Sequence, residues 1–192
     1  LHHRGPDGEG YYTNKNVGLG HKRLSILDVE NGAQPIVSNN IALSYNGEIY
    51  NFKTLRKELE ALGYVFETNC DSEVLLHGWL AWKNELVTKL RGMFAFVIHD
   101  ANDNVLYIAR DRLGIKPLHW SITQQGDLLV ASELKGVLAH PSTTKALNHS
   151  AVEDFFSLGY VADPKTIFDG IFKLPPAHHA VIKLEGEGTQ DL

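Results

Sequence analysis

An α+β fold, with mainly antiparallel sheets layered against helices, is what this sequence of 192 residues predicts. Three observations carry the prediction. Residues 17–27 and 41–45 read as strands, and Phe52, Leu55, Leu59 and Leu62 then follow at helical spacings of three, four and three. The continuous apolar run Met93 to Ile98 returns the period to that of a buried sheet. The order strands, helices, many strands, helices suits two stacked sheets between helices, with the last forty or so residues less regular.

Each element has its own signal. The helix from Phe52 carries Lys53, Arg56, Lys57, Glu58 and Glu60 on its outer face and ends at Gly63. A second helix starts near Asp71, with Leu75, Trp79 and Trp82 on one face, and a short third one runs from Asn84 to Leu90. Polar Asp100 to Asn104 separates Met93–Ile98 from Val105–Ala109, which makes a hairpin. Leu118–Ile122 and Leu128–Ala131 add two strands, and Ala180–Leu184 adds a last one. Glu133–Leu138 and Ser150–Leu158 read as helices, the latter capped by Asn148.

Composition narrows the function. Hydrophobic residues make up 43% and charged residues 21%, as in a globular domain with one core of ordinary size. The net charge of −5, without a basic block, argues against nucleic acid as a partner, because phosphate neutralisation needs clustered Lys and Arg. No apolar stretch reaches the ~18 residues of a membrane span. No signal peptide is expected at the start. The single cysteine, Cys70, excludes an internal disulfide framework and suits a reducing cytosol, so a cytoplasmic location is expected. The chain opens on Leu1-His2-His3-Arg4-Gly5-Pro6-Asp7-Gly8 without an initiator Met, and residues are expected upstream.

The run Tyr45-Asn46-Gly47-Glu48-Ile49-Tyr50-Asn51-Phe52 is the chemically densest stretch. Asn-Gly after a strand is a turn signal, since glycine supplies positive φ. It also places a side-chain amide beside a backbone N–H, two donors that an oxyanion needs, and Glu48 next to them suits an ammonium group. Arg23 in Gly20-His21-Lys22-Arg23-Leu24-Ser25-Ile26-Leu27 is a solvated strand residue or a bidentate clamp for a carboxylate. Asp71 is a helix cap, a counter-charge for an ammonium, or both. Cys70, beside Asp71 and Glu73, is a small buried thiol rather than a nucleophile, because neighbouring negative charge disfavours its thiolate.

Three other patterns carry structure rather than chemistry. Asp100-Ala101-Asn102-Asp103-Asn104 imitates a calcium loop but has Val105 at the sixth position and Asp111 at the twelfth, so a hairpin turn is expected. His178 and His179 point to opposite faces of a strand and cannot share a metal, and no metal site is expected elsewhere. Arg110-Asp111-Arg112-Leu113-Gly114-Ile115-Lys116 is read as a charged network bracing a loop, since buried charges need partners.

Taken with His3–Gly8, Gly20–Ile26, Asp71–Val74, Leu90–Phe96, Ala109–Leu118 and Ala131–Lys135, the Tyr45–Asn51 run resembles the class II (N-terminal-nucleophile) glutamine amidotransferase domain of glutamine-hydrolysing asparagine synthetases. The segments appear in the family's order and cover most of the chain. The resemblance implies an αββα four-layer sandwich with its first strand missing here, residues 1–145 as its core and 146–192 as an extension toward a C-terminal synthetase domain.

The resemblance also assigns roles. Arg23 with Leu24, Ser25, Ile26 and Leu27 would bind the carboxylate of L-glutamine, Glu48 and Asp71 its ammonium, and Asn46 with the Gly47 N–H the oxyanion. The family's nucleophile is an N-terminal cysteine whose own α-amino group is the base, apt because an α-amino pKa near ~8 suits proton transfer at neutral pH. No such cysteine is in this sequence, so the polypeptide as written is expected to bind glutamine without hydrolysing it. No cofactor is implied for this domain. ATP and Mg are implied for the synthetase domain, where ammonia would meet an activated aspartate, and a homodimer is a further partner to consider. A related amidotransferase with another acceptor, such as one in surface-polysaccharide synthesis, and a non-catalytic glutamine-binding protein are the alternatives. Sugar-phosphate and nucleotide-precursor amidotransferases fit less well, because Lys22–Ile26 replaces their Thr-Arg-Trp-Ala-Thr segment.

Overall fold

The computed structural model describes residues 1–24 and 32–184. In chain order the strands and helices are β1 (Gly8–Asn14), β2 (Val17–Arg23), β3 (Ile36–Ser38), β4 (Ile41–Ile49), α1 (Phe52–Ala61), α2 (Asp71–Trp82), α3 (Leu86–Lys89), β5 (Gly92–Asp100), β6 (Val105–Arg110), β7 (His119–Ile122), β8 (Leu128–Ala131), α4 (Leu134–Leu138), α5 (His149–Leu158), β9 (Ile171–Lys173) and β10 (His179–Lys183). They form two compact units, residues 110–178 and the remainder.

The first unit is built on a five-stranded sheet of order β10-β6-β5-β4-β3. Alternation along β4 divides its side chains between two faces. Ile41, Leu43, Tyr45 and Ile49 are buried in one core with Phe94, Phe96 and Ile98 of β5, Leu55 and Leu59 of α1, and Val74, Leu75 and Trp79 of α2. The helices therefore cover that face. Ser44, Asn46 and Glu48 point to the other, where the antiparallel β1–β2 hairpin lies. His21 Nδ1 is 3.3 Å from Ser44 Oγ, and Tyr12 OH is 3.0 Å from His99 Nδ1.

In the second unit β7 is the centre of a three-stranded sheet of order β8-β7-β9, antiparallel to both neighbours. The Arg110–Lys116 segment forms the braced loop its charges foretell. Asp111 is fully buried; Oδ1 accepts from the N–H groups of Leu113 (3.1 Å) and Ile115 (2.9 Å), and Oδ2 from that of Lys116 (2.9 Å). Arg110 donates to the carbonyls of Lys116, Gly114 and Leu174 and to Asp163 Oδ2. Gly114 turns the loop at φ +66°, where a side chain would also collide with Pro176 and the Arg110 guanidinium.

Several expectations need correction. The strand expected over 17–27 ends at Arg23, Leu24 lies outside it, and residues 25–27 fall outside the described residues. β1 begins within the segment whose start, Gly5–Gly8, reads as a turn; Gly8 and Gly10 weaken its strand signal, but Tyr11, Tyr12 and Thr13 favour it. β3 and β9, three residues each, are too short to show a period. β4 runs on through Asn46-Gly47 to Ile49, so this dipeptide is not a turn. The turn lies earlier, at Asn39-Asn40, whose φ values of +52° and +61° suit a two-residue hairpin. The Asn148 cap is present, its side chain accepting from the Ala151 N–H at 3.0 Å.

Asp100 ends β5 fully buried. Its Oδ2 accepts from Trp79 Nε1 and Lys83 Nζ, both at 2.7 Å, while Oδ1 takes the N–H of Asn102 at 3.0 Å. The carboxylate that imitates a calcium loop thus serves the hairpin turn instead. Burial alone would raise its pKa, but hydrogen bonds from Lys83, Trp79 and the Asp103 N–H overcome this and hold it below the ordinary value. A depressed folded pKa means stability that is present above the unfolded carboxylate value near ~3.9 and is lost as pH falls through the folded one. Urea denaturation should therefore show a falling midpoint as pH drops below about 4. The fall should be smaller in Asp100→Asn, which starts from a lower midpoint; equal slopes would remove Asp100 from the acid response.

Candidate active site

The C-terminal half of β4 carries the site, and its backbone direction is legible from its neighbours. β4 pairs with β5 in unbroken register from Ile41–Asp100 to Ile49–Gly92. In such a ladder, residues two apart direct their N–H groups to the same edge. The Tyr45 N–H donates to Gln34 Oε1 (2.7 Å) and the Ile49 N–H to Asp71 Oδ2 (2.8 Å), both away from β5. The Gly47 N–H, midway between them, points to that same edge. β3 pairs only with residues 41–43 and does not cover it. Asn46 and Glu48, half-buried, flank it on the hairpin face.

Gly47 must be glycine because of packing. Its φ is not positive; instead a Cβ there would lie 2.2 Å from the Met93 carbonyl oxygen and 2.8 Å from both Phe94 Cα and Tyr45 Cε2. β5 and the Tyr45 ring close on the strand at this point.

Asp71 opens α2 and is 6% exposed. The residue at the cap position is Cys70, which makes no side-chain cap hydrogen bond and is buried outside any disulfide. Asp71 turns instead to β4, where Oδ2 accepts from Tyr45 OH (2.7 Å) and the Ile49 N–H (2.8 Å). Burial, with the negative Asp71 and Glu48 nearby, pushes the Tyr45 phenol far above its usual range, so it remains a donor. Two residues on, Glu73 grips the preceding loop, accepting from the N–H groups of Glu67 and Thr68 (both 2.8 Å) and the Thr68 hydroxyl (2.6 Å). Burial works to raise its pKa, but these bonds prevail and hold it low.

Arg23 closes β2. Its carbonyl accepts from the Asp7 N–H at 3.0 Å, and Gly5 lies so close to Lys22 that a Cβ would be 2.3 Å from that backbone. Being two residues from His21, Arg23 projects from the same side of the hairpin, toward the sheet. Its charge, after burial, is the second cause that lowers the His21 pKa. The His21–Ser44 contact is the point from which Arg23 and Asn46 each lie two residues along. Leu24, next in the chain after Arg23, is 56% exposed, while Ser25, Ile26 and Leu27 lie outside the described residues.

The structure adds positioning residues that the sequence does not mark for this use. Tyr45 fixes Asp71, and the Gln34 amide oxygen holds the Tyr45 N–H. Asn51 clamps the turn after β4, donating to the Lys89 carbonyl (3.0 Å) and accepting from the Arg91 N–H (2.9 Å). Tyr45 and Asn51 stand inside the Tyr45–Phe52 run; nothing in the sequence singles out Gln34. Among the described residues no group of three or more His, Cys, Asp or Glu is placed to hold a metal ion, and no helix is long and apolar enough to cross a membrane.

Gly47→Ala should force β4 and β5 apart, because its close contact is with backbone rather than a movable side chain. A loss of about 1–3 kcal/mol is expected, read by urea denaturation. An unchanged midpoint would show that the strands yield without cost.

Comparison with known proteins places the chain in a family. The family described as the glutamine amidotransferase domain matches residues 1–191. Asparagine synthetase [glutamine-hydrolyzing] 1 of Bacillus subtilis is 43% identical over 97% of this chain and 30% of its own length; synthetase 3 of that organism is 41% identical over 97% and 31%. Asparagine synthetase B of Escherichia coli is 42% identical over 76% of this chain and 26% of its own. The chain thus spans about a third of these relatives. Among solved structures, the glutamine phosphoribosylpyrophosphate amidotransferase of B. subtilis superposes with a TM-score of 0.53 at 30% identity, over 68% of this chain and 31% of that one. An allosteric regulatory enzyme of purine biosynthesis (TM-score 0.58, 24% identity, 86% and 33% coverage) shares the fold. The α+β architecture expected from the sequence is therefore that of the amidotransferases, and the chain belongs to the glutamine amidotransferase domain family.

Proposed function

We propose that this domain binds L-glutamine and, in its full-length protein, hydrolyses it to glutamate and ammonia for an ATP-activated aspartate. The observation that carries the proposal is the junction of β4 with Asp71. One short stretch offers an amide side chain at Asn46, an outward N–H at Gly47 and a carboxylate at Glu48, with a second carboxylate, Asp71, bonded to the strand on either side of them. Glu48 and Asp71 hold the α-ammonium, Arg23 with residues 24–27 clamps the α-carboxylate, and Asn46 and Gly47 receive the oxyanion. A guanidinium suits the carboxylate because it offers two parallel donors.

The reaction also needs a nucleophile. Cys70 is buried at the head of α2 and has no free amine beside it, so it does not fill this role. In the family's chemistry a cysteine thiolate adds to the side-chain amide carbon, and its α-amino group carries the proton to the departing ammonia. Water then cleaves the thioester to glutamate. We assign that step to an N-terminal cysteine of the full-length protein and expect residues 1–192 alone to bind glutamine without turnover. ATP and Mg belong to the synthetase portion of that protein.

Three outcomes test this in the full-length protein. Arg23→Ala should raise the glutamine KM sharply; an unchanged KM would remove Arg23 from the site. Asn46→Ala should lower kcat by about 10²–10³ with glutamine binding largely kept, as for loss of one oxyanion donor. An equal loss in binding alone would make Asn46 a positioning residue. Treatment with a glutamine-analogue alkylator, followed by intact mass and N-terminal sequencing, should give one adduct on an N-terminal cysteine. An unmodified protein without that cysteine would mean a domain that only binds.

A further inference from the structure

On the hairpin face of the five-stranded sheet, at the end away from Asn46, two turns border a cavity of about 150 Å3. Asn14, Lys15 and Asn16 line it from the β1–β2 turn, and His99, Ala101 and Asn104 from the β5–β6 turn. The register of β4 and β5 sets His99 opposite Ala42, four residues from Asn46, or about 14 Å along the strand at ~3.4 Å per residue. Pockets for drug-sized molecules run to ~300–1,000 Å3. This one has room for about five waters at ~30 Å3 each, the size of a small ion that keeps part of its hydration.

The polar groups around it are donors. His99 is 3% exposed. Its Nδ1 lies 3.0 Å from Tyr12 OH, and the Asn14 carboxamide N–H donates to that hydroxyl at 3.2 Å. The phenol oxygen thus receives one hydrogen and gives its own to Nδ1. Burial lowers the His99 pKa against the opposing pull of Asp100, so the ring is neutral at pH 7 and carries one proton. With Nδ1 accepting, that proton is on Nε2, the ring nitrogen left for the cavity.

Lys15 adds a full positive charge. It turns the hairpin at φ +49°, where Gly or Asn is the cheaper residue. Asn104 turns at φ +53° and gives one carboxamide hydrogen to the Leu184 carbonyl, which leaves the second. Among the described residues no carboxylate lines the cavity. Asp100, next to His99, points to the helix face, where Trp79 and Lys83 hold it, and Asp103 also pairs with Lys83.

We propose that this cavity binds a small tetrahedral oxyanion, phosphate or sulfate, through the Lys15 ammonium, the His99 Nε2–H and the carboxamide hydrogens of Asn16 and Asn104. A metal cation does not fit, because Lys15 and Nε2–H have no lone pair to offer. The site is separate from the glutamine pocket, and the proposal does not depend on the functional reading above.

Equilibrium dialysis of inorganic phosphate against the full-length protein tests it. Phosphate held elsewhere in that protein is common to wild type and variants, so the difference between them isolates this cavity. Lys15→Asn removes the charge with a residue suited to φ +49° and should weaken the site by about tenfold or more. Tyr12→Phe removes a hydroxyl that does not itself line the cavity. It should still weaken binding by about threefold or more, because Nδ1 then loses the bond that keeps the proton on Nε2. A purely electrostatic attraction to Lys15 would not feel that change. Four results would each overturn the proposal: equal phosphate binding in wild type and Lys15→Asn, unchanged affinity in Tyr12→Phe, displacement of phosphate by an equal concentration of chloride, or displacement by glutamine, which would place the anion at Arg23 instead.

Discussion

Everything at the proposed site depends on one carboxylate taken out of water and delivered to a strand. Asp71 heads α2, and Oδ2 is shared between a phenol and a backbone amide of β4. A buried charge is tolerated only with hydrogen-bonding partners of this quality. The pair of bonds straddles Asn46, Gly47 and Glu48, so the helix and the active strand are registered to each other at the place where chemistry is proposed. Tyr45 is also part of the hydrophobic core. The same side chain therefore connects the packing of the domain to the position of its polar groups.

A second constraint acts through the backbone. The N–H groups of Tyr45, Gly47 and Ile49 share an edge that β3 leaves open after Leu43. Gln34 occupies the first and Asp71 the third, and β3, which pairs only with residues 41–43, does not reach the middle one. The short length of β3, which makes it invisible to periodicity, is why its pairing with β4 stops at Leu43. On the hairpin face of the sheet, β2 carries Arg23 two residues beyond the His21–Ser44 contact, its backbone held by the close approach of Gly5 to Lys22.

Much of this was readable beforehand. The amphipathic spacing of Phe52–Leu62 and the apolar run of β5 fix long elements whose faces are set by burial. The Asn148 cap and the charge-dense Arg110–Lys116 loop follow from local hydrogen-bonding needs. The grouping of Asn46, Gly47 and Glu48 was plain because they are contiguous. What was hidden has physical causes as well. Asn46-Gly47 has the composition of a turn, yet strand pairing with Ala95 and Phe94 overrides it, and glycine is required by a backbone contact 46 residues away. Gln34 contributes through a single side-chain oxygen to a strand it does not belong to, which no local pattern reveals. Asp71 resembles a helix cap from its position alone; only the approach of Tyr45 shows where its charge goes.

The Asp111 loop has a consequence for sequence variation. One fully buried carboxylate receives three main-chain amides, and Arg110 returns three bonds to main-chain carbonyls. The path of the loop is thereby written almost entirely in backbone atoms. Leu113 and Ile115 ride on it with their side chains in solvent. Their identities are thus nearly uncoupled from the loop's shape, whereas Asp111, Arg110 and Gly114 carry all of the information that shape contains.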